Sequence, residues 1–494
     1  MGRQEWSFNR RSFLKTAGAG MAGIVARAPK ANRAGGRPPN VLLILPDQWR
    51  AQALGCMGNR DVLTPNLDRL ASEGLLLRHT LANTPVCCPA RANILTGTFT
   101  STNGMVANDL RLRESRVTLG ESFRDAGYRT GYVGKWHLDG GPRVPGFIPP
   151  GRRHGFDFWA ANECWHNYFY GWYFRNENVP IITTKYSPEG WTDLAVEFLS
   201  GQEDQKAPFF LMLALAAPHD PYIVPESYLK MYQPQSLTMR PNWVQGTTGG
   251  GRKDIAAYYA AITAIDAQIG RLMKVLRELG LEENTIVLFT SDHGNMLGSQ
   301  GAILKRKPWE ESICVPCILR YPGRIQSGRE SDVLFSHVDI APTLLSLCGI
   351  SVPAHMQGLD MSQVALGKTP QGPSSAFFQI FGPFHGGGVP HAWRGVRTER
   401  YMYARTASGP WVLYDLERDP YEMHNLVADP SASSLRSRMD SSIEAWMRKL
   451  GDSWSLDWTV PVEDGGRLYN YRTFYTVDEY LRWAKAHPNL EPQG

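Results

Sequence analysis

Between residues 40 and 290 the chain repeats one two-part pattern: a short apolar run that stops at a charged or imidazole side chain, then a segment with apolar residues at helical spacing. Residues 40–45 are nearly continuously apolar between Pro38-Pro39 and Pro46, as expected of a strand covered on both faces, and Asp47 falls at its end. Thr64-Pro65-Asn66 then opens a helix, with Thr64 as cap, Pro65 in the first turn, and Leu67, Leu70 and Ala71 inward. A helix over 119–126 feeds a strand over 130–133, and a helix over 191–199 feeds a strand over 209–216. A long helix over 254–279, with Ile262, Ile265, Ile269, Leu272, Val275 and Leu276 on one face, feeds a strand over 285–289. Such alternation predicts an α/β domain with a large, mostly parallel sheet sandwiched by helices, whose ligands bind beyond the C-terminal strand ends.

Near residue 375 the character changes to short, aromatic, alternating segments at 393–398, 400–404 and 411–416. These predict a small antiparallel sheet, and Leu435, Met439, Ile443, Trp446 and Leu450 predict a helix packed on it. The expected organisation is a leader over 1–28, a catalytic α/β domain over 38–375 and a smaller α+β domain over 376–494.

The leader reads as a twin-arginine export signal: Asn9-Arg10-Arg11-Ser12-Phe13-Leu14-Lys15, a weakly apolar Gly/Ala-rich stretch, and Ala26-Arg27-Ala28 as cleavage site. It predicts a periplasmic or secreted protein with the twin-arginine translocase as a maturation partner. The leader holds Arg3, Arg10, Arg11, Lys15 and Arg27 against Glu5, so all but one unit of the formal net charge of +5 leaves with it. The mature chain therefore has no basic block for nucleic acid or an anionic membrane, and no run of eighteen apolar residues to span one. Seven cysteines in so long a chain do not make a disulfide framework, and twin-arginine export carries proteins folded in a reducing compartment. Cys56, Cys164 and Cys348 read as free structural thiols. Cys314-Val315-Pro316-Cys317 lies in the apolar run 313–319 and reads as a buried strand, not a redox pair.

Polar residues recur at equivalent places, where strands end: Asp47-Gln48, Lys135 and His137, His219, and Asp292-His293. Four strands aim these side chains at one rim. Asp47, Gln48 and Asp292 offer oxygen ligands to a hard divalent cation, with His293 adding a nitrogen. A cation near Arg91, Lys135 and Lys305 defines a pocket for an anion with several oxygens.

The segment Thr84-Pro85-Val86-Cys87-Cys88-Pro89-Ala90-Arg91-Ala92-Asn93-Ile94-Leu95-Thr96-Gly97 resembles the signature of the sulfatase family, Cys-x-Pro-x-Arg followed by Thr-Gly. The likeness continues in order through Pro65-Asn66-Leu67-Asp68, Gly134-Lys135-Trp136-His137, His219, Ser291-Asp292-His293-Gly294 and Pro308-Trp309-Glu310-Glu311. It implies an alkaline-phosphatase-like fold, sulfuric ester hydrolysis, one divalent metal, and conversion of Cys87, not Cys88, to formylglycine by a formylglycine-generating enzyme. An ordinary nucleophile leaves a sulfated enzyme that water hydrolyses slowly, whereas a hydrated aldehyde can expel sulfate by re-forming its carbonyl.

By the same resemblance Asp47, Gln48, Cys87, Asp292 and His293 hold the metal, Arg91 stabilises the modified residue, and His137 takes the proton that releases sulfate. Lys135, His219 and Lys305 contact sulfate and the leaving oxygen, with His219 as general acid; Lys305 is preferred to Lys307 by its spacing to Trp309-Glu310. Many family members have Asp-Asp and Asp-Asn where this chain has Asp47-Gln48 and Asp292-His293. Calcium is the expected ion, and the lower ligand charge leaves manganese and magnesium open. The same pairs resemble choline sulfatases and phosphonate monoester hydrolases, so a phosphonate or phosphodiester hydrolase, or a choline or aryl sulfatase, is the alternative. The aromatic stretch 155–173 reads equally as core packing or as cleft lining; if it lines the cleft, Trp159, Trp165, His166 and Tyr168 stack on sugar rings and favour a sulfated glycan over a small aryl ester. The Gly-rich loop 384–388, with His391 and Arg394, is expected to reach over the site from the second domain.

Overall fold

The structure is a computed structural model describing residues 37–454 except 109, 115–116, 141–144, 203–205 and 382–391, and beyond these only the backbone of Val462–Asp464 and Arg467–Tyr469. The leader and the Gly-rich loop with His391 lie outside the described residues.

The strands in chain order are β1 (Asn40–Pro46), β2 (Leu75–Leu81), β3 (Arg129–Lys135), β4 (Phe158–Asn162), β5 (Gly171–Tyr173), β6 (Ile181–Thr183), β7 (Phe209–Leu215) and β8 (Thr285–Thr290). There follow β9 (Cys314–Val315), β10 (Cys317–Arg320), β11 (Arg329–Ser336), β12 (Ala376–Ile380), β13 (Trp393–Arg397), β14 (Tyr401–Thr406) and β15 (Gly409–Asp415). The large sheet runs β11-β2-β10-β8-β1-β7-β3-β4, with β9 on β2. From β8 to β4 every pairing is parallel, and β1 has parallel partners on both sides, Val41 standing opposite both Phe210 and Ile286.

All seven β1 residues are buried, which explains its continuous apolar run. Successive side chains feed opposite layers: Val41, Leu43 and Leu45 join one core cluster, Leu42 and Ile44 the other. The first layer is closed by helices α2 (Cys87–Thr96), α3 (Leu119–Asp125) and α6 (His337–Leu347), the second by α1 (Pro65–Ser72), α4 (Ser187–Ser200) and α5 (Arg252–Glu278). Each large aliphatic side chain so buried contributes about 1.5–3 kcal/mol. The predicted stripe of α5 faces this second layer, though Val275 is only partly buried. Among the described residues no helix is long and apolar enough to cross a membrane.

Two local expectations change. Thr64 occupies the cap position of α1 without a capping bond; its Oγ1 instead accepts from the Gly55 amide at 2.9 Å and meets Asp68 Oδ1 at 3.1 Å. The run 313–319 is two strands, not one. Pro316 has no amide hydrogen to give a ladder, so β9 pairs with β2 while β10 pairs with β8 and β2. Cys314 and Cys317 are buried free thiols, pushed upward by burial, which suits structure rather than redox exchange.

The second sheet is antiparallel, β12-β13-β14-β15, with β12 added to the three predicted strands. Helix α7 (Ser433–Leu450) covers it through Met439, Ile443 and Leu450 against Phe377, Val396, Tyr403 and Leu413. It is tied to the elements around the large sheet by Gln379 N to Asn83 O (2.8 Å), Trp393 Nε1 to Arg306 O (3.0 Å) and Arg397 Nε to Glu310 Oε1 (3.3 Å). Arg394 does not reach over the site. It is fully buried in β13, forked onto Asp452 and sandwiched between the rings of Phe381 and Trp454 at 4.1 and 4.8 Å.

Removing one member of this pair strands the other charge in the core. Asp452→Ala is expected to cost about 3–5 kcal/mol in urea unfolding, and the double change Arg394→Met with Asp452→Leu to recover most of it. Equal losses in single and double variants would contradict the burial described.

Candidate active site

The four polar strand ends do converge, because β8, β1, β7 and β3 are consecutive parallel neighbours. Asp47 and Gln48 leave β1, Lys135 closes β3 and His137 follows it, His219 follows β7, and Asp292 and His293 follow β8. Strand β3 can deliver Lys135 only because of Gly134: at φ +111° a Cβ there would sit 1.9 Å from the Ala214 carbonyl oxygen of β7.

Helix α2 brings the remaining groups. Cys87 is its first residue and Arg91 lies one turn on, so both side chains share a face. The Thr-Gly of the signature ends the helix, with Gly97 in the left-handed conformation at φ +61° and its amide returned to Asn93 O. Because the helix begins at Cys87, its positive N-terminal end faces the site and favours an anion there.

Arg91, fully buried, donates from Nε to Asp292 Oδ2 (3.1 Å), from Nη1 to Lys135 O (2.9 Å) and from Nη2 to Asp47 Oδ2 (3.3 Å). Burial opposes its charge, but Asp292 and Asp47 outweigh that and keep it protonated. Asp47 Oδ2 also accepts from Lys135 Nζ at 2.6 Å. Burial and Cys87 resist the charge on Asp47, yet Lys135, His219 and Arg91 hold it below the usual carboxylate range. Asp292 is pushed up by burial and by Asp47 beside it.

Asp47, Cys87, Asp292 and His293 present ligand atoms that all lie within 4.8 Å of one another. His293 Nδ1 lies 3.0 Å from the Gly294 carbonyl oxygen, which can only accept, so the ring proton is on Nδ1. Its Nε2 faces Cys87 Sγ at 3.2 Å and Asp47 Oδ1 at 3.4 Å; burial opposes a charge on the ring, but Asp292 and Cys87 push it above the ordinary imidazole range. Two crowded buried carboxylates and an imidazole whose Nε2 is turned towards them fit a divalent cation. Gln48, also expected as a ligand, has its amide engaged: Oε1 accepts from Lys305 Nζ at 2.8 Å and Nε2 donates to Asp220 Oδ1 at 2.9 Å.

Opposite the acids stands a basic half. Lys305 Nζ lies 2.7 Å from His219 Nε2, while His219 Nδ1 donates to the Asp220 carbonyl at 2.7 Å, so Nε2 is the acceptor for the lysine. His166 stacks on His219 at 4.3 Å and 12° and meets Lys135 Nζ with Nε2 at 3.2 Å. Burial, then His219 and Lys135, hold His166 well below its ordinary range, so it is neutral and accepts. His137 hydrogen-bonds the Cys87 side chain. Burial resists a thiolate at Cys87, but Lys305, Lys135, His293 and His137 carry the group well below the ordinary thiol range. The field of the site thus favours negative charge at position 87.

Of the aromatic stretch, Trp159 packs into the core against Tyr132 and Trp136 and cannot meet a ligand. Tyr168 is buried with its hydroxyl on the His219 carbonyl at 2.6 Å. Sequence reasoning passed over Asp220, although it adjoins His219, and Glu163, which no motif in the sequence marks.

The sequence model described as sulfatase matches residues 39–350. This chain belongs to the sulfatase family. A second model, described as the C-terminal part of N-sulphoglucosamine sulphohydrolase, matches residues 298–449. The sulfatase is 39% identical over 439 residues to an ulvan-active sulfatase of Formosa agariphila, covering 88% of this chain and 84% of that protein. It is 30% identical to an endo-4-O-sulfatase of Bacteroides thetaiotaomicron, over 87% of this chain and 95% of the relative. The crystal structure of yidJ from Bacteroides fragilis superposes with a TM-score of 0.79 at 31% identity, covering 85% of this chain and 98% of that one. The alkaline-phosphatase-like fold expected from the signature is the fold found.

Glu163 gives the site a measurable pH signature. It is buried, its carbonyl accepts from His137 N at 2.7 Å, Oε1 accepts from Asp139 N at 3.1 Å, and Oε2 has no partner among the described residues. Burial pushes its carboxyl up to about 8. A carboxyl whose folded value exceeds its unfolded one takes up a proton on folding, so its effect is to lower stability as pH rises from the ordinary carboxylate range towards 8. Unfolding free energy of the wild type should therefore fall between pH 5 and 9 more than that of Glu163→Gln, as read by urea titration; parallel curves would refute the buried neutral acid.

Proposed function

We propose that this sulfatase removes sulfate from a sulfated carbohydrate, with formylglycine at position 87 and one divalent metal, after export by the twin-arginine pathway. The observation that carries this reading is the placement of Cys87 Sγ between the cluster of Asp47, Asp292 and His293 and the cations Lys135 and Lys305. An ester sulfate has the charge and oxygen count to span both halves. The relatives named for activity on ulvan and for endo-4-O-sulfatase activity support a glycan substrate.

Asp47, Asp292 and His293, with the oxygens of a modified residue 87, would hold the metal, which supplies polarisation of the sulfur centre when bound. Calcium is the ion favoured by the pair of hard carboxylates, and the imidazole keeps manganese and magnesium as competitors. Hydrated formylglycine supplies two hydroxyls on one carbon, one to attack sulfur and one to expel sulfate. Arg91 bonds one oxygen of each carboxylate and holds both turned towards the ion. Lys135 orients sulfate oxygens from the Asp47 side. Lys305 and His219 share a proton over 2.7 Å and deliver it to the leaving oxygen. His137, bonded to the side chain at 87, takes the proton whose loss releases sulfate.

Peptide mass analysis of protein made together with a formylglycine-generating enzyme should find the aldehyde at position 87. Cys87→Ala should lose at least about a thousandfold in turnover of any sulfate ester, the scale set by losing a nucleophile. Full activity with an unmodified thiol would end the proposal. Chelation should abolish activity and lower the melting temperature, with calcium restoring both; a chelator without effect on melting would remove the metal. Matched sulfate and phosphate monoesters should be turned over with sulfate ahead, and the reverse order would select a phosphorus ester hydrolase on this scaffold.

A further inference from the structure

A cavity of about 210 Å³ opens from Lys135 and runs between the β5–β6 hairpin and the start of α4. It shares Lys135 with the reaction site and is otherwise composed differently. Trp165 and Trp172 form one wall, stacked on each other at 5.7 Å and 24°, with Ile181 and Ile182 on the hairpin beside them. Both indole N–H groups are already spent, on the Tyr170 and Pro145 carbonyls, so the wall offers ring faces and no donors. The close seat of Trp165 depends on Gly171, where a Cβ would meet the indole at 3.2 Å.

One polar atom is left over. Asn162 ends β4 opposite Lys135, is buried, and gives its Nδ2 to the Trp172 carbonyl at 2.9 Å; its Oδ1 has no partner among the described residues. A buried acceptor without a donor is costly unless a ligand provides the hydrogen. The cations of the lining are taken up: Lys135 by Asp47 and the scissile sulfate, and Lys185 by Asp193, which Arg271 also grips. A carboxylate or second sulfate entering here would lose water and meet no free cation of the described lining.

We propose that this cavity is the specificity subsite for an uncharged pyranose ring, the ring that carries the scissile ester. Its apolar face lies on the Trp165–Trp172 wall and one hydroxyl donates to Asn162 Oδ1. This assignment rests on the sulfate ester hydrolase reading for its place in a reaction, but the cavity binds the ring by its own chemistry.

Two measurements on the whole protein separate the two claims. In steady-state kinetics, a methyl hexopyranoside monosulfate should be turned over with a kcat/KM at least tenfold above the matched hexuronate monosulfate. Trp172→Ala should lower the ratio of kcat/KM for the hexopyranoside sulfate to that for ethyl sulfate at least tenfold, chiefly through KM, and Trp172→Phe should restore most of it. Equal rates on the two sugars, or a ratio within twofold of wild type in Trp172→Ala, would overturn the subsite. In saturation-transfer NMR, the unsulfated methyl hexopyranoside should contact wild type and lose contact in Trp172→Ala with an unchanged melting curve. If that contact is lost while no sulfate ester is hydrolysed, the cavity stands and the hydrolase reading falls; if turnover proceeds and the contact persists in the variant, the subsite falls alone.

Discussion

Two carboxylates, Asp47 and Asp292, stand side by side with no exposure to water, and Arg91 makes this tolerable. A buried pair of like charges is unstable by itself: one would take up a proton, and the upward push on Asp292 records that tension. The guanidinium bonds one oxygen of each and a third partner, the Lys135 carbonyl, so it ties the ends of β1, β8 and β3 together from its seat in α2. Chemistry and fold share this contact. Were it lost, the strand ends would have no common anchor and the charge cluster no balance.

Around that anchor the site divides into an acidic and a basic half with residue 87 at the join. Each half is assembled from different strands, so neither exists before the sheet forms. Parallel pairing through β8, β1, β7 and β3 places all C-terminal ends on one edge, and this alone turns four sequence-distant turns into one surface. The tautomers follow from backbone carbonyls: Gly294 fixes His293, and Asp220 fixes His219. Position 87 thereby acquires an environment in which negative charge is the favoured state.

The smaller sheet contributes stability and orientation instead of catalytic groups among the described residues. Its Arg397 grips Glu310 beneath the loop that carries Lys305, and Trp393 holds the Arg306 carbonyl, so the basic half leans on the second sheet. The aromatic stretch near residue 165 is divided between purposes. Trp159 completes the core beside Tyr132, while Trp165 and Trp172 stack on each other in the wall of the cavity.

Much was readable in the residues themselves. Apolar runs of strand length alternating with helical stripes require a mostly parallel sheet, since each run must be covered on both faces, and the spacing of Cys87 to Arg91 fits one helix face whatever surrounds it. The strand-end residues were legible for the same reason: a chain leaving a buried strand must become polar. What the residues could not reveal is contact across the sheet. No local pattern distinguishes Trp159 from Trp165, or tells that Arg394 pairs with Asp452, that Pro316 splits a strand between two partners, or that Asp220 and Glu163 stand among the site groups. Those outcomes depend on which segments become neighbours, and neighbour choice is a long-range matter of packing and charge balance, settled only when the whole sheet closes.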